Sequence, residues 1–188
     1  MPILAEEVSL FPDDLFTTVH QHLLPEQSSS RWRLLYTKPR QEKSLARDLL
    51  ALEIPFFLPL VPKENLIRGR RIRSHLPLFT GYVFLFADDQ DRIGSLETDR
   101  VAYVIDVVEQ QRLSNELHQL HRLMATRAPF TVESQFVPGQ RVRIKSGPFN
   151  GIEGTMMSRR GTTRLLVAIH YLGQGVSIEI DDFQIETI

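Results

Sequence analysis

The chain has 188 residues, 42% hydrophobic and 24% charged, the composition of a folded protein with room for one large or two small domains. It contains no cysteine, which excludes a disulfide framework and thiolate chemistry, and no apolar run approaches the roughly 18 residues that suggest a membrane span. The formal net charge of -1 hides a partition: residues 1–30 carry five acids and no Lys or Arg, residues 31–130 carry 16 basic and 12 acidic groups, and residues 131–188 carry six of each. A modest basic excess in the middle suits contact with nucleic acid as one of several partners.

Residues 1–30 hold Pro2, Pro12, Pro25 and Ser28-Ser29-Ser30 and read as an acidic flexible leader. Within it, Asp13 and Asp14 could start a short helix carrying Leu15, Phe16, Val19 and Leu23. A solvated tail is the plain reading; the sharper one is a cover over a basic surface of the middle segment. There is no basic stretch followed by an apolar one at the start, so the expected location is cytoplasmic.

Trp32–Tyr36 reads as a first strand with Trp32, Leu34 and Tyr36 on one face. Thr37-Lys38-Pro39 breaks it, and Pro39 suits the first turn of a helix with Leu45, Ala46, Leu49 and Leu52 on its apolar side and Arg40, Lys43 and Arg47 on the other. Ile54–Leu60 is a strand whose prolines argue for an edge or a bulge. Residues 63–75 look like a hairpin with its tip near Arg68-Gly69-Arg70. The run Leu76–Phe86 reads as a central strand, and its Phe79, Tyr82 and Phe84 are more aromatic surface than one strand needs for its own core. Asp88 caps a short helix with Ile93 and Leu96, and Val101–Val108 forms another strand.

Ser114 is expected to cap a helix with Leu117, Leu120, His121 and Met124 on one stripe. His118 and His121 have the spacing of a shared metal site, but a structural site wants about four ligands, so a packed histidine is the expectation and no metal or cofactor is assigned. Residues 126–138, with Pro129 and Pro138, read as an interdomain linker. Seven of the ten glycines then fall in residues 131–188, separating β-rich runs at 141–145, 152–158, 163–169, 175–180 and 183–187. Short strands with glycine turns predict a small antiparallel barrel. No phosphate-cradling glycine loop and no Ser/His/Asp motif is present, so an enzyme is not expected.

These residues resemble the NusG family, an NGN domain followed by a KOW domain. Trp32-x-x-x-Tyr36, Lys38-Pro39-Arg40 and Pro77–Phe84 carry the first half; Gly139–Ile144 and Gly147-Pro148-Phe149-x-Gly151-x-x-Gly154 carry the second. The resemblance implies an α+β fold: an acidic leader over 1–30, an NGN sheet flanked by helices over 31–125, a linker over 126–138 and an SH3-like KOW barrel over 139–188. Thr37–Lys43 and the Phe-rich second strand look closer to UpxY-like and RfaH-like antiterminators of long operons than to the housekeeping type.

The family's role is a processivity factor on bacterial RNA polymerase that suppresses pausing and antiterminates. It implies docking on the clamp helices of the largest polymerase subunit through Tyr36, Phe79, Tyr82 and Phe84. Non-template or upstream DNA would meet Lys38, Arg40, Arg68, Arg70, Arg71 and Arg73. Phe149, Leu172 and Gly173 would form a KOW partner loop for NusE or Rho, in a protein expected to act as a monomer. Two departures stand out: Arg92-Ile93-Gly94-Ser95 replaces the His-Thr-Thr element of RfaH, and Leu172-Gly173 replaces a Phe-Gly pair of the KOW loop. RfaH can also fold its KOW segment as a helical hairpin, which here would place Pro148 and several glycines in helices at about 3 and about 1 kcal/mol each. The alternative function is a KOW-type RNA-binding or ribosome-associated protein using Arg141, Arg143, Lys145, Arg159 and Arg160.

Overall fold

Alternation in Arg31–Thr37 places Trp32, Leu34 and Tyr36 on one face of strand β2 (Arg31–Thr37) and Arg33, Leu35 and Thr37 on the other, and both faces are buried over most of its length. A strand covered on both sides belongs in the middle of a layered structure. The computed structural model describes residues 7–22, 29–67, 70–134, 139–180 and 185–188, without the side chains of 20–22 and 64–73. The chain divides into two compact units, Met1–Gln110 and Gln111–Ile188.

In the first unit β2 lies between β6 (Tyr82–Ala87) and β7 (Val101–Asp106); β6 pairs in turn with β3 (Phe56–Phe57), and β3 with β1 (Leu10–Phe11). All four pairings are antiparallel. One face packs Leu35, Val83, Leu85 and Phe56 against Leu45, Ala46 and Leu49 of α2 (Glu42–Ala51), a stripe with the helical spacing read from the sequence. Leu52, expected on that stripe, ends the helix and is 51% exposed. The other face is aromatic. Trp32 packs between Phe86 at 5.3 Å and Phe16 at 6.1 Å, and Phe16 belongs to α1 (Leu15–His22).

Several expectations are corrected here. The leader is structured over Leu10–His22: Leu15, Phe16 and Val19 are buried, because an apolar stripe beside an aromatic sheet face is better packed than solvated. Strand β3 is not at the edge. Pro55 and Pro59 confine it to two residues, and the leader's β1 covers it, with the Leu58 N–H donating to the Ser9 carbonyl at 2.7 Å. The run Leu76–Phe86 is not one strand: Leu76 and Pro77 end β5 (Arg70–Pro77), which pairs with β4 (Leu60–Ile67), and residues 78–81 turn into β6. The Asp88 cap is as expected, accepting the Asp91 N–H at 2.9 Å at the start of α3 (Asp89–Glu97).

Helix α4 (Gln110–Ala125) starts on the last residue of the first unit, a turn before the expected cap, and the rest of it lies in the second. Ser114 is buried inside it; Gln110, still in the first unit, exchanges hydrogen bonds with the Trp32 main chain at 2.6 and 2.8 Å. A six-stranded antiparallel sheet follows, in the order β13 (Ile185–Thr187), β9 (Arg141–Ile144), β10 (Glu153–Arg159), β11 (Thr162–Ile169), β12 (Gln174–Glu179), β8 (Thr131–Glu133). Strand β8 falls in the stretch read as linker, pairing with β12 and accepting from Ser177 Oγ on Glu133 at 2.6 Å. Gly154 and Gly175 sit inside strands rather than at turns; a Cβ there would meet a neighbouring carbonyl oxygen at 2.5 and 2.4 Å. Among the described residues of 139–188 every element is a strand or a short 3-10 turn. The architecture is α+β.

Candidate docking face and basic cleft

Register brings three tyrosines into a row: Tyr36 of β2 lies opposite Tyr82 of β6 and opposite Tyr103 of β7. The Tyr36 and Tyr103 rings stack at 4.7 Å, and Tyr82 meets Tyr36 edge-on at 5.2 Å. Tyr103 is 50% exposed, and Tyr36 and Tyr82 are half-buried, so the row is partly open to solvent. Burial, then the neighbouring Tyr103 and Tyr36, push the Tyr82 phenol above its usual range.

The support beneath the row is specific. Gly81 has φ +87° and a Cβ on it would reach the Tyr36 ring at 2.9 Å, so only glycine both adopts this turn and leaves room for the ring. Its N–H donates to the buried carboxylate of Glu42 at 2.8 Å, and its carbonyl accepts from the Thr37 N–H at 2.8 Å. Phe79 and Phe84, expected on the docking surface, are 1% and 0% exposed. They pack edge to face at 6.1 Å under the sheet's aromatic side. Tyr103 was not singled out from the sequence. The only available hint was its alternation with Val101 and Ile105 in β7.

Beside this row the N-terminal end of α2 forms a cleft of about 460 Å³ lined by Arg40, Lys43 and Arg47, with Glu42 and Thr80 in its wall. Arg40 has φ 60°, the left-handed region that side chains with a Cβ adopt at a cost. Lys38 is not part of this cleft: its ammonium is held by Asp99 at 2.6 Å, which pulls the Asp99 carboxyl below its usual value. Arg100 bonds Asp48 and, at 2.7 Å, Gln41, fixing the turn after α3 against α2. Arg70, Arg71 and Arg73 are carried by β5, with side chains outside the described residues, as is the whole of Arg68.

In the second unit Phe149 is buried in a 3-10 turn, Gly147–Phe149, so it serves the core rather than an exposed loop. Leu172 is half-buried and Gly173 follows it at φ 63°, at the end of the turn His170–Leu172. Helix α4 meets these turns: Arg122 donates to the carbonyls of Gly151 at 2.9 Å and Asn150 at 2.6 Å, and Glu116 accepts from the His170 N–H at 3.0 Å and pairs with its ring. His121 is half-buried on the same helix, and burial lowers its pKa. The basic residues along β9 are ion-paired: Arg143 with Glu153 at 2.6 Å and Glu186 at 3.0 Å, and Lys145 with Glu186 at 2.9 Å.

The chain is similar to several known proteins. The chain is 28% identical over 149 residues to the transcription termination/antitermination protein NusG of Pasteurella multocida, covering 72% of this chain and 79% of that one. It is 26% identical over 179 residues to the same protein of Haemophilus influenzae, covering 86% and 96%. A solved structure described as domain interaction in Thermotoga maritima NusG is 20% identical, covering 85% of this chain and 97% of that one at a TM-score of 0.41. The family model described as transcription termination factor nusG matches residues 30–134, more than half of the chain, including the tyrosine row and the cleft's three cations. The chain belongs to the NusG family of transcription factors.

Proposed function

We propose that this protein is an elongation and antitermination factor that docks on the clamp helices of bacterial RNA polymerase through its first unit, suppresses pausing and raises processivity. The observation that carries this reading is the tyrosine row, Tyr36, Tyr82 and Tyr103, a partly exposed aromatic face on a five-stranded sheet, the kind of surface where interface energy concentrates. Phe79 and Phe84 support it from below. The cleft of Arg40, Lys43 and Arg47 is the site for the phosphate backbone of the exposed non-template strand, with Lys38 as a further contact to that strand and the β4–β5 arginines reaching toward upstream DNA. No chemical step is involved.

Residues 31–125 form the NGN domain and residues 139–188 the SH3-like KOW barrel, whose Leu172-Gly173 turn recruits a second partner, NusE or Rho. The specialised role of UpxY-like and RfaH-like factors fits the Thr37–Lys43 stretch, and the site of action is the cytoplasm, as a monomer. The RNA-binding alternative is weakened by the ion pairs of Arg143 and Lys145, which neutralise the edge it needs. A reconstituted elongation assay on polymerase stalled at several pause sequences tests the proposal. Faster pause escape with the wild-type protein, lost with Tyr82→Ala and Tyr103→Ala, is the expected result; cosedimentation with ribosomes instead of polymerase would favour the alternative.

A further inference from the structure

The acidic leader is anchored at a definite place. Strand β1 pairs Leu10 with Phe57 and Phe11 with Phe56, and Ser9 accepts the Leu58 N–H at 2.7 Å, so the backbone two residues after Glu7 is fixed to the sheet. Leu10 is buried, as are Leu15, Phe16 and Val19 farther along, so the anchor is hydrophobic as well as hydrogen-bonded. From that anchor Glu7 reaches the basic cleft. It lines the cleft together with Arg40, Lys43 and Arg47, and its carboxylate lies 3.7 Å from the Arg47 guanidinium. Glu7 keeps 24% of its side chain in solvent and Arg47 62%, so the cation still faces outward and can exchange one anion for another.

The cleft's other carboxylate differs in kind. Glu42 is 5% exposed and holds the Gly81 N–H, so it is a fixed part of the wall. Glu7 is the removable one. It comes from a segment, residues 1–30, that supplies five acids and no Lys or Arg next to a segment with an excess of base. A carboxylate paired with Arg47 in a cleft also lined by Arg40 and Lys43 occupies the kind of place a phosphate would take.

We propose that Glu7 is a built-in competitor for the phosphate backbone of single-stranded DNA in the Arg40–Lys43–Arg47 cleft, held there by the N-terminal strand; this rests on the reading of that cleft as a nucleic-acid site. Binding must displace the Glu7–Arg47 pair, so contacts through backbone charge alone meet a higher threshold. A solvent-facing ion pair of this kind opposes binding by about two- to five-fold. The effect fades with salt, as exposed charge pairs do.

The test uses the full chain and a labelled short oligothymidylate, followed by fluorescence anisotropy at about 50 and about 200 mM salt. Glu7→Gln should bind about two- to five-fold tighter at the lower salt, with a smaller gain at the higher. Glu7→Lys should bind tighter still. In an Arg47→Gln background the gain from Glu7→Gln should shrink, because the ion pair that binding must displace is gone. If Lys43→Gln weakens binding but Glu7→Gln and Glu7→Lys do not strengthen it, the competitor role is overturned while the cleft reading stands. If neither Lys43→Gln nor Arg47→Gln changes binding, the cleft reading falls and the proposal falls with it.

Discussion

Arg40 sits at φ 60°, a conformation that costs a residue with a Cβ about 1–2 kcal/mol. A glycine would relieve the backbone, so exchanging Arg40 for glycine separates the use of its side chain from the cost of its backbone. Arg40→Gly is expected to leave the melting temperature unchanged or raise it while weakening single-stranded DNA binding, with a log–log salt slope lower by about 0.7 for the lost phosphate contact. Thermal denaturation and salt-dependent titration of one variant read both effects, and a loss of stability would remove the functional argument. The aromatic residues divide in the same way. Phe79→Ala should destabilise the fold by about 3–5 kcal/mol, because Phe79 is enclosed. Tyr103→Ala should leave stability nearly intact and cost about 2 kcal/mol of binding to a clamp-helix fragment. Denaturant melts paired with pull-downs separate the two. Residue identity alone did not distinguish them: Phe79, Tyr82 and Phe84 are equally aromatic in sequence, and only the turn at 78–81 decides which faces inward. Tyr103 joins the row through the pairing of β2 with β7, a long-range register that no local pattern encodes.

At the scale of elements, the leader is what changes the expected design. Removing residues 1–22 would strip β1 from β3 and lift Leu15, Phe16 and Val19 from the aromatic face, each worth about 1.5–3 kcal/mol of burial. Such a truncation should lower the unfolding free energy measured in urea by several kcal/mol. An unchanged unfolding free energy would show that the leader contributes no packing. Most elements were legible from the sequence because their periods are clean: Leu45, Ala46 and Leu49 on α2, Trp32, Leu34 and Tyr36 on β2, and the strands of the second sheet from β9 onward, each within a few residues of the apolar run that suggested it, whereas β8 fell in the stretch read as linker. The failures have one physical character. Composition marked residues 1–30 as loose, but Phe16 is ordered by a partner face that lies far away in sequence. Likewise α4 begins at Gln110 because that side chain bonds the main chain of Trp32, a tertiary contact that overrides the local cap at Ser114.

For the whole molecule, acid is the condition that should unsettle the fold. Burial lowers the pKa of His121 from its ordinary 6.5, so the unfolded chain binds a proton there before the folded one does. Stability from this group is complete above about pH 6.5 and is lost as pH falls through the lowered value. Asp99 is lowered by its hydrogen bond from Lys38, and Glu186 by its hydrogen bond from Lys145, from ordinary values of 3.8 and 4.5. Their contributions have the same sign and vanish only at more acidic pH. The melting temperature should therefore begin to fall below about pH 6.5 and fall again in the carboxylate range, with the first phase following the His121 ring in an NMR titration. A melting temperature flat from pH 7 to 5 would contradict the burial of that ring.

The position of Trp32 has an optical consequence. It is the single tryptophan of the chain and is fully enclosed, with Phe16 of α1 at 6.1 Å on one side and Phe86 on the other. Its emission is thus a built-in gauge of whether the N-terminal helix is seated: blue-shifted while Phe16 covers the indole, red-shifted and open to quenchers once the helix lifts. Because Glu7 precedes the β1 anchor and Phe16 follows it, release of the carboxylate from the cleft should leave this emission unchanged. Detachment of the whole leader should not, so one fluorophore can tell a local exchange of anions from the peeling of an entire layer.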